Sequence, residues 1–170
     1  VVGAFDEAVD TRLRRAGHRS DLAEMARFAA VEALSHLCSQ ETGSLFGVST
    51  EQTRQTLRSY ATPNQFDSVG KDFFGRFLYR FLDYHLSREL PNHIGPGRQF
   101  ADLGEYSKFK DALERHCRET VVIAKDFAGC WPSATEFREG ISRENVRTKF
   151  LPVALKKIQK ELKRREGAHA

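Results

Sequence analysis

Apolar residues return every three or four positions through most of this chain, the period of a helix that buries one face. Leu22, Met25, Ala26, Ala29, Ala33 and Leu37 form one such face. Asp21-Leu-Ala-Glu24 precedes it with the form of a capping box, an acceptor at the N-cap and Glu at N3, and so predicts a helix over 21–39. Upstream, Phe5, Val9 and Leu13 predict a shorter helix that ends near Gly17. Ser49-Thr-Glu-Gln52 is a second box, followed only by Leu57 and Tyr60 as large apolar residues, and predicts a short, partly exposed helix.

The stretch GKDFFGRFLYRFLDYHLSREL, residues 70–90, is the most aromatic part of the chain. It belongs to a helix that starts at Thr62-Pro-Asn-Gln65, where a hydroxyl N-cap, proline at N1 and Gln at N3 coincide. At 100° per residue, Phe66, Val69, Phe73, Phe77, Phe81 and Tyr84 fall within about 120° of one another. Phe74, Leu78 and His85 widen the edge, and Asp72, Arg76 and Asp83 collect on the other side. That polar face excludes a membrane span, and a nucleic-acid stacking platform belongs on a sheet or barrel groove. The expectation is a central core helix near 63–90. Gly70, on the apolar face, would let another helix approach, whereas Gly75 has no evident purpose and weakens the helix by about 1 kcal/mol relative to Ala.

Pro91 ends this helix, and PNHIGPGRQFADLG reads as a loop. A further helix from Glu105 or Ser107 to Gly129 carries Phe109, Ala112, Leu113, His116, Thr120, Ile123, Ala124 and Phe127 on one face. Its β-branched TVVIA segment could form a strand, but no partner strand is evident. After a loop with the sole tryptophan, Ser142 is an N-cap, with Ile141 and Val146 placed as a hydrophobic staple. Pro152 must kink this last element or divide it in two, the second piece starting at Leu151 or Pro152. Leu151, Ala154, Leu155, Ile158 and Leu162 then make an apolar stripe opposite Lys156, Lys157, Lys160, Lys163 and Arg164. Together these elements predict an all-α fold, one irregular bundle of about five or six helices in a single domain over 1–170.

Composition sharpens this in a few respects. The 170 residues are 40% hydrophobic and 29% charged, which fits one folded domain. Apolar runs reach only about four residues, far short of the roughly 20 of a spanning helix. The first residue is Val1 and not Met, as expected of a piece of a longer chain or a processed one. Three widely spaced cysteines, Cys38, Cys117 and Cys130, argue against a disulfide framework and for a reducing, cytoplasmic location. The net charge of +4 is local: Arg143 to Glu166 holds nine basic and three acidic residues.

Candidate chemistry is sparse. Gly95-Pro-Gly-Arg-Gln-Phe100 begins like a dinucleotide fingerprint but has Phe100 where the third glycine belongs, and a helix rather than a strand precedes it. His116-Cys117 with Cys130, or His85 with His93, lacks paired metal-ligand spacing, and no cofactor is expected. His85 and Glu89 share a helix face, as a helix-stabilising pair would. His36 and His116 fall on apolar stripes, as hydrogen-bonded core histidines do. Cys130 or Cys117 would be the nucleophile of any covalent enzyme, with a buried thiol as the ordinary alternative. The cations of the last helix are either a solvated or protein-facing surface or a phosphate-tracking one, an anionic membrane surface being a lesser alternative. Trp131, beside Pro132, caps a core or anchors an interface. The expected function is a non-catalytic helical interaction module or small subunit of an assembly, with another protein as partner through Trp131 or the basic helix. Nucleic-acid binding through Lys156, Lys157, Lys160, Lys163 and Arg164 is the alternative, and an enzyme with a site assembled from distant residues is the third.

Overall fold

The computed structural model describes residues 2–17, 19–41, 63–122 and 151–167, with single positions at 51, 55, 58, 144, 147 and 148. It is an all-α bundle. Among the described residues the helices are α1 (Val2–Arg15), α2 (Asp21–Glu41), α3 (Pro63–Glu89), α4 (Leu103–Thr120) and α5 (Leu151–Gly167). A 3-10 turn, Leu90–Asn92, follows α3. Among the described residues the only β-type contact is one isolated bridge, Ile94 to Phe100. Glu51, Gln55 and Arg58, from the short helix expected after Ser49, are helical. Ser142, Ile141 and Val146 lie outside the described residues, as does the chain joining Val122 to Glu144.

Local signals explain most ends. Gly17, at φ +65°, takes the left-handed position that closes α1, and its N–H donates to the Arg14 carbonyl at 3.2 Å. The cap of α2 is Ser20 and not Asp21: Ser20 Oγ accepts from the Ala23 N–H at 3.1 Å. Asp21 instead accepts a hydrogen bond from the Tyr84 hydroxyl on α3. α3 begins at Pro63 and gives way just before Pro91, as the sequence predicts. α4 starts earlier than expected, because Asp102 is its N-cap. Asp102 Oδ1 accepts from the Glu105 N–H at 2.9 Å, and Glu105 Oε2 accepts from the Ala101 N–H at 2.8 Å. Thr120 ends the helix, Val121 lies in a helical cap, and neither forms a strand. α5 begins at Leu151 with Pro152 in its first turn, where a missing N–H costs nothing.

The connection between α3 and α4 folds back on itself. Phe100 donates to the His93 carbonyl at 3.0 Å and accepts from the Gly95 N–H at 2.9 Å. Gly95 and Gly97 sit at φ +130° and +73°, conformations that side chains resist. The turn delivers Phe100 onto Tyr106 and Phe109, with ring centroids 5.5 and 5.2 Å away. The glycines of GPGRQF therefore shape a packing turn.

α3 is the central helix, covered on two sides. Toward α4 and α5 it buries Phe74 and Leu78 against Cys117, Val121, Ala154 and Ile158. Gly75 is buried at this contact. A Cβ there would meet Val121 Cγ2 at 3.5 Å and the Arg118 Cα at 3.7 Å, so this glycine, without evident purpose in the sequence, marks the close approach of α3 and α4. Toward α2, the small Ala29 and Ala33 are buried with Leu37. The buried side of α3 is thus rotated from the stripe expected. Phe74 and Leu78, read as its edge, are core, whereas Phe77 is half-buried and Phe81 is 37% exposed. Nor do the charges face solvent alone. Asp72, Arg76 and Asp83 are half-buried between helices, and Arg76 bridges Asp72 at 3.1 Å and Glu32 at 3.5 Å. On α4, Cys117 occupies the core and His116 only its margin, while Ala112 is exposed.

Replacing the buried ring, Phe74→Ala, should lower stability by about 3–5 kcal/mol. Phe81→Ala should cost under about 1 kcal/mol. Equal urea midpoints for the two would contradict the rotated core. At the α3–α4 contact, Gly75→Ala meets only ordinary van der Waals distances and gains helix propensity, so stability should rise by up to about 1 kcal/mol. Gly75→Leu should instead lower it by about 1–3 kcal/mol through overpacking. Destabilisation by alanine would mean that the helices lie closer than described.

Candidate functional site

Among the described residues, two cavities that adjoin α3 differ in character. The larger, about 1040 Å³, opens between α2, α3 and α4 and is lined by both signs of charge. Glu32 pairs with Arg80 and Arg76, Glu114 with Arg118, and His36 Nδ1 lies 3.1 Å from Asp72. At its α4 side, Lys110 Nζ is 3.1 Å from Asp83, a hydrogen bond that raises the lysine's pKa. Apart from Glu114–Arg118, which lies within α4, these pairs tie α2 and α4 to the flanks of α3.

The smaller cavity, about 500 Å³, is apolar. Phe73, Phe74 and Phe77 of α3 form its floor. Leu22, Ala23 and Ala26 of α2 stand on one side, Leu151 and Leu155 of α5 on the other, and Gly17, Arg19 and Ser20 close one end. Phe73 and Phe77 stack with centroids 6.0 Å apart and planes 9° from parallel. Here the periodic reading needs two corrections. Leu22 and Leu155, counted among core stripes, are 50% and 46% exposed and form the lips of this groove. Ala154 and Ile158 of the α5 stripe are buried as expected, but the buried face is turned away from Leu155 and takes in Glu161. Glu161 is tolerated there because Arg164 Nε and Nη2 donate to its two carboxylate oxygens at 2.8 and 2.7 Å. An acidic residue followed by Arg three positions later was the sequence signal for that pair.

The other candidate residues disperse. Lys156, Lys157, Lys160, Lys163 and Arg164 are all on α5, where the first four are exposed and Arg164 is engaged with Glu161. Among the described residues no carboxylate pairs with Lys156, Lys160 or Lys163. Trp131 and Cys130 lie outside the described residues. His85 does not pair with Glu89: its ring packs edge-on to Phe81 and Tyr84, at 4.8 and 5.3 Å, while Glu89 accepts from the Asn92 amide at 3.3 Å. His36 is a surface residue and His116 half-buried, so neither is a core histidine. No group of three or more potential metal ligands occurs among the described residues.

Cys117 is fully buried, and that burial pushes its pKa up to about 12. A thiol so placed holds its proton and is inaccessible, the opposite of an activated nucleophile. In the unfolded chain the same thiol ionises near about pH 8.5. Above that pH the unfolded state binds fewer protons than the folded one, so stability falls as pH rises toward about 12, by about 1 kcal/mol per pH unit from this residue. Between about pH 9 and 10.5, Cys117→Ala should therefore lose less stability than the wild type, as urea midpoints at the two pH values would reveal. Parallel losses would remove the thiol as a source of alkaline lability.

Comparison with known proteins adds no relative: no family model, curated protein or solved structure matches this chain, and its function has to be argued from its geometry.

Proposed function

We propose that this chain is a helical protein-interaction module and that the apolar groove over the middle of α3 is where its partner docks. One observation carries the reading: the most aromatic stripe of the central helix, Phe73 and Phe77, floors an open groove whose lips, Leu22 and Leu155, are about half exposed. Covering the exposed half of each leucine is worth about 1 kcal/mol, a driving force for association that water does not supply. Concave apolar surface of this kind is scarce on monomers and is concentrated at docking sites.

A second reading rests on a different surface. Lys156, Lys160 and Lys163, spaced by four and three residues on the outer face of α5, have the periodicity to follow phosphates. On that reading the partner is nucleic acid, and the leucines are incidental.

One set of variants separates the two. As bait, wild-type protein should retain a partner that a Leu22→Asp/Leu155→Asp double variant loses, while circular dichroism and urea midpoint stay close to wild type. Retention of the same proteins by both baits would overturn the groove reading. If Lys156, Lys160 and Lys163 act on phosphates, their replacement by Glu should abolish binding to a short duplex, binding that the wild type shows with a log–log salt slope of about −0.9 per phosphate.

A further inference from the structure

We infer that the occupant of the groove is an amphipathic helix with acidic flanks. This rests on the groove being the docking surface and assigns the class of ligand it takes.

Helicity follows from backbone accounting. An extended peptide needs partners for its N–H and C=O groups, and adds them to a sheet edge. Among the described residues there is no strand, and the bridge at Ile94 and Phe100 belongs to the α3–α4 connection, not to the residues lining the groove. A β-strand laid on phenylalanine and leucine side chains would lose water from its backbone without replacement, which leaves a helix or a solvated polyproline segment. No Tyr hydroxyl or Trp indole donor lines the groove among the described residues to fix the latter. A helix satisfies its own backbone and presents side chains at i, i+3, i+4 and i+7, which suits a groove bounded by two helices.

The acidic preference follows from the flanks. No carboxylate lines the groove among the described residues, and its one ionisable lining residue is Arg19. The acid that Arg19 meets, Asp10 at 3.4 Å, is already engaged by Arg14. Exposed Arg15 ends α1 just before this corner. On the α5 lip, exposed Lys156 follows Leu155 directly and has no carboxylate partner among the described residues. Arg19 therefore stands at one end of the apolar floor and Lys156 beside its α5 lip, with no carboxylate among the described lining residues to balance them. A second copy of this chain, itself at net +4, would bring like charges together there unless it offered an acidic face.

The test is a displayed library of helices of about 16 residues, long enough to form several turns, with positions randomised between Leu, Phe or Ala and between Glu or Lys. It is sorted on the full chain and counter-sorted on Leu155→Asp, whose exposed position keeps the fold, with Leu22→Asp as the substitute if it does not. Enriched peptides should carry Glu beside an i, i+3, i+4, i+7 apolar face. They should bind wild type at least about tenfold more tightly than either groove variant. Arg19→Glu/Lys156→Glu should weaken them by a similar factor and improve binding of their Lys-for-Glu twins. Enrichment of basic peptides, equal binding of proline-broken versions, or no enrichment over the counter-sort would each overturn the inference. In the last case the interaction-module reading stands or falls separately, on whether the wild-type bait loses its partner with the leucines. Duplex binding that needs the lysines but not Leu155, with no peptide enriched, would transfer the surface to nucleic acid.

Discussion

Everything in this bundle depends on α3 being approached closely on two sides. On one, Gly75 lets the α4 backbone come within van der Waals range, and Phe74 and Leu78 then reach the layer formed by Cys117, Val121, Ala154 and Ile158. On the other, Ala29 and Ala33 bring α2 in without a bulky side chain at the centre of the contact. A helix carrying so many rings has more apolar circumference than either partner can cover. The sector left between α2 and α5 becomes the groove.

The charged residues of α3 serve this arrangement differently from the rings. Asp72, Arg76, Arg80 and Asp83 carry both signs and meet Glu32 and His36 on α2 or Lys110 on α4. Partly exposed pairs of this kind are each worth about 0.2–1 kcal/mol, so they are not what keeps the helices together. Their value is in register: a shift of α2 by one turn would separate these partners. Burial supplies the affinity between helices and the ion pairs select one alignment.

How much of this was legible in the sequence depended on whether the signal was local. Pro63, Pro91, Pro152 and Gly17 fixed helix ends because proline and left-handed glycine restrict their own backbone whatever surrounds them. The all-α class followed from the 3.6-residue period for the same reason. What failed was the facing of each helix, since periodicity identifies a stripe but not how many neighbours divide it. Phe77 and Phe81 looked more central than Phe74, Leu155 looked as buried as Ile158, and His116 looked more like core than Cys117. Each error is a rotation of part of a turn, and each was decided by a contact between residues far apart in the chain. The groove was invisible for that reason, because it is assembled from three helices. Only its materials, a surplus of phenylalanine and a cluster of lysine, could be read in advance.

The order in which helices meet has a consequence for the moment at which the protein becomes competent. Among the described helices, α1 packs on α2, α2 on α3, α3 on α4 and α4 on α5, so each finds support in the one made just before it. Such neighbour-to-neighbour topology is of low contact order and suits assembly while the chain is still emerging from the ribosome. The groove is the exception to this sequential logic. Its far lip, Leu151 and Leu155, belongs to the last of these helices to be made. A nascent chain can therefore shelter most of its aromatic helix early, yet the groove itself is complete only once α5 has been added.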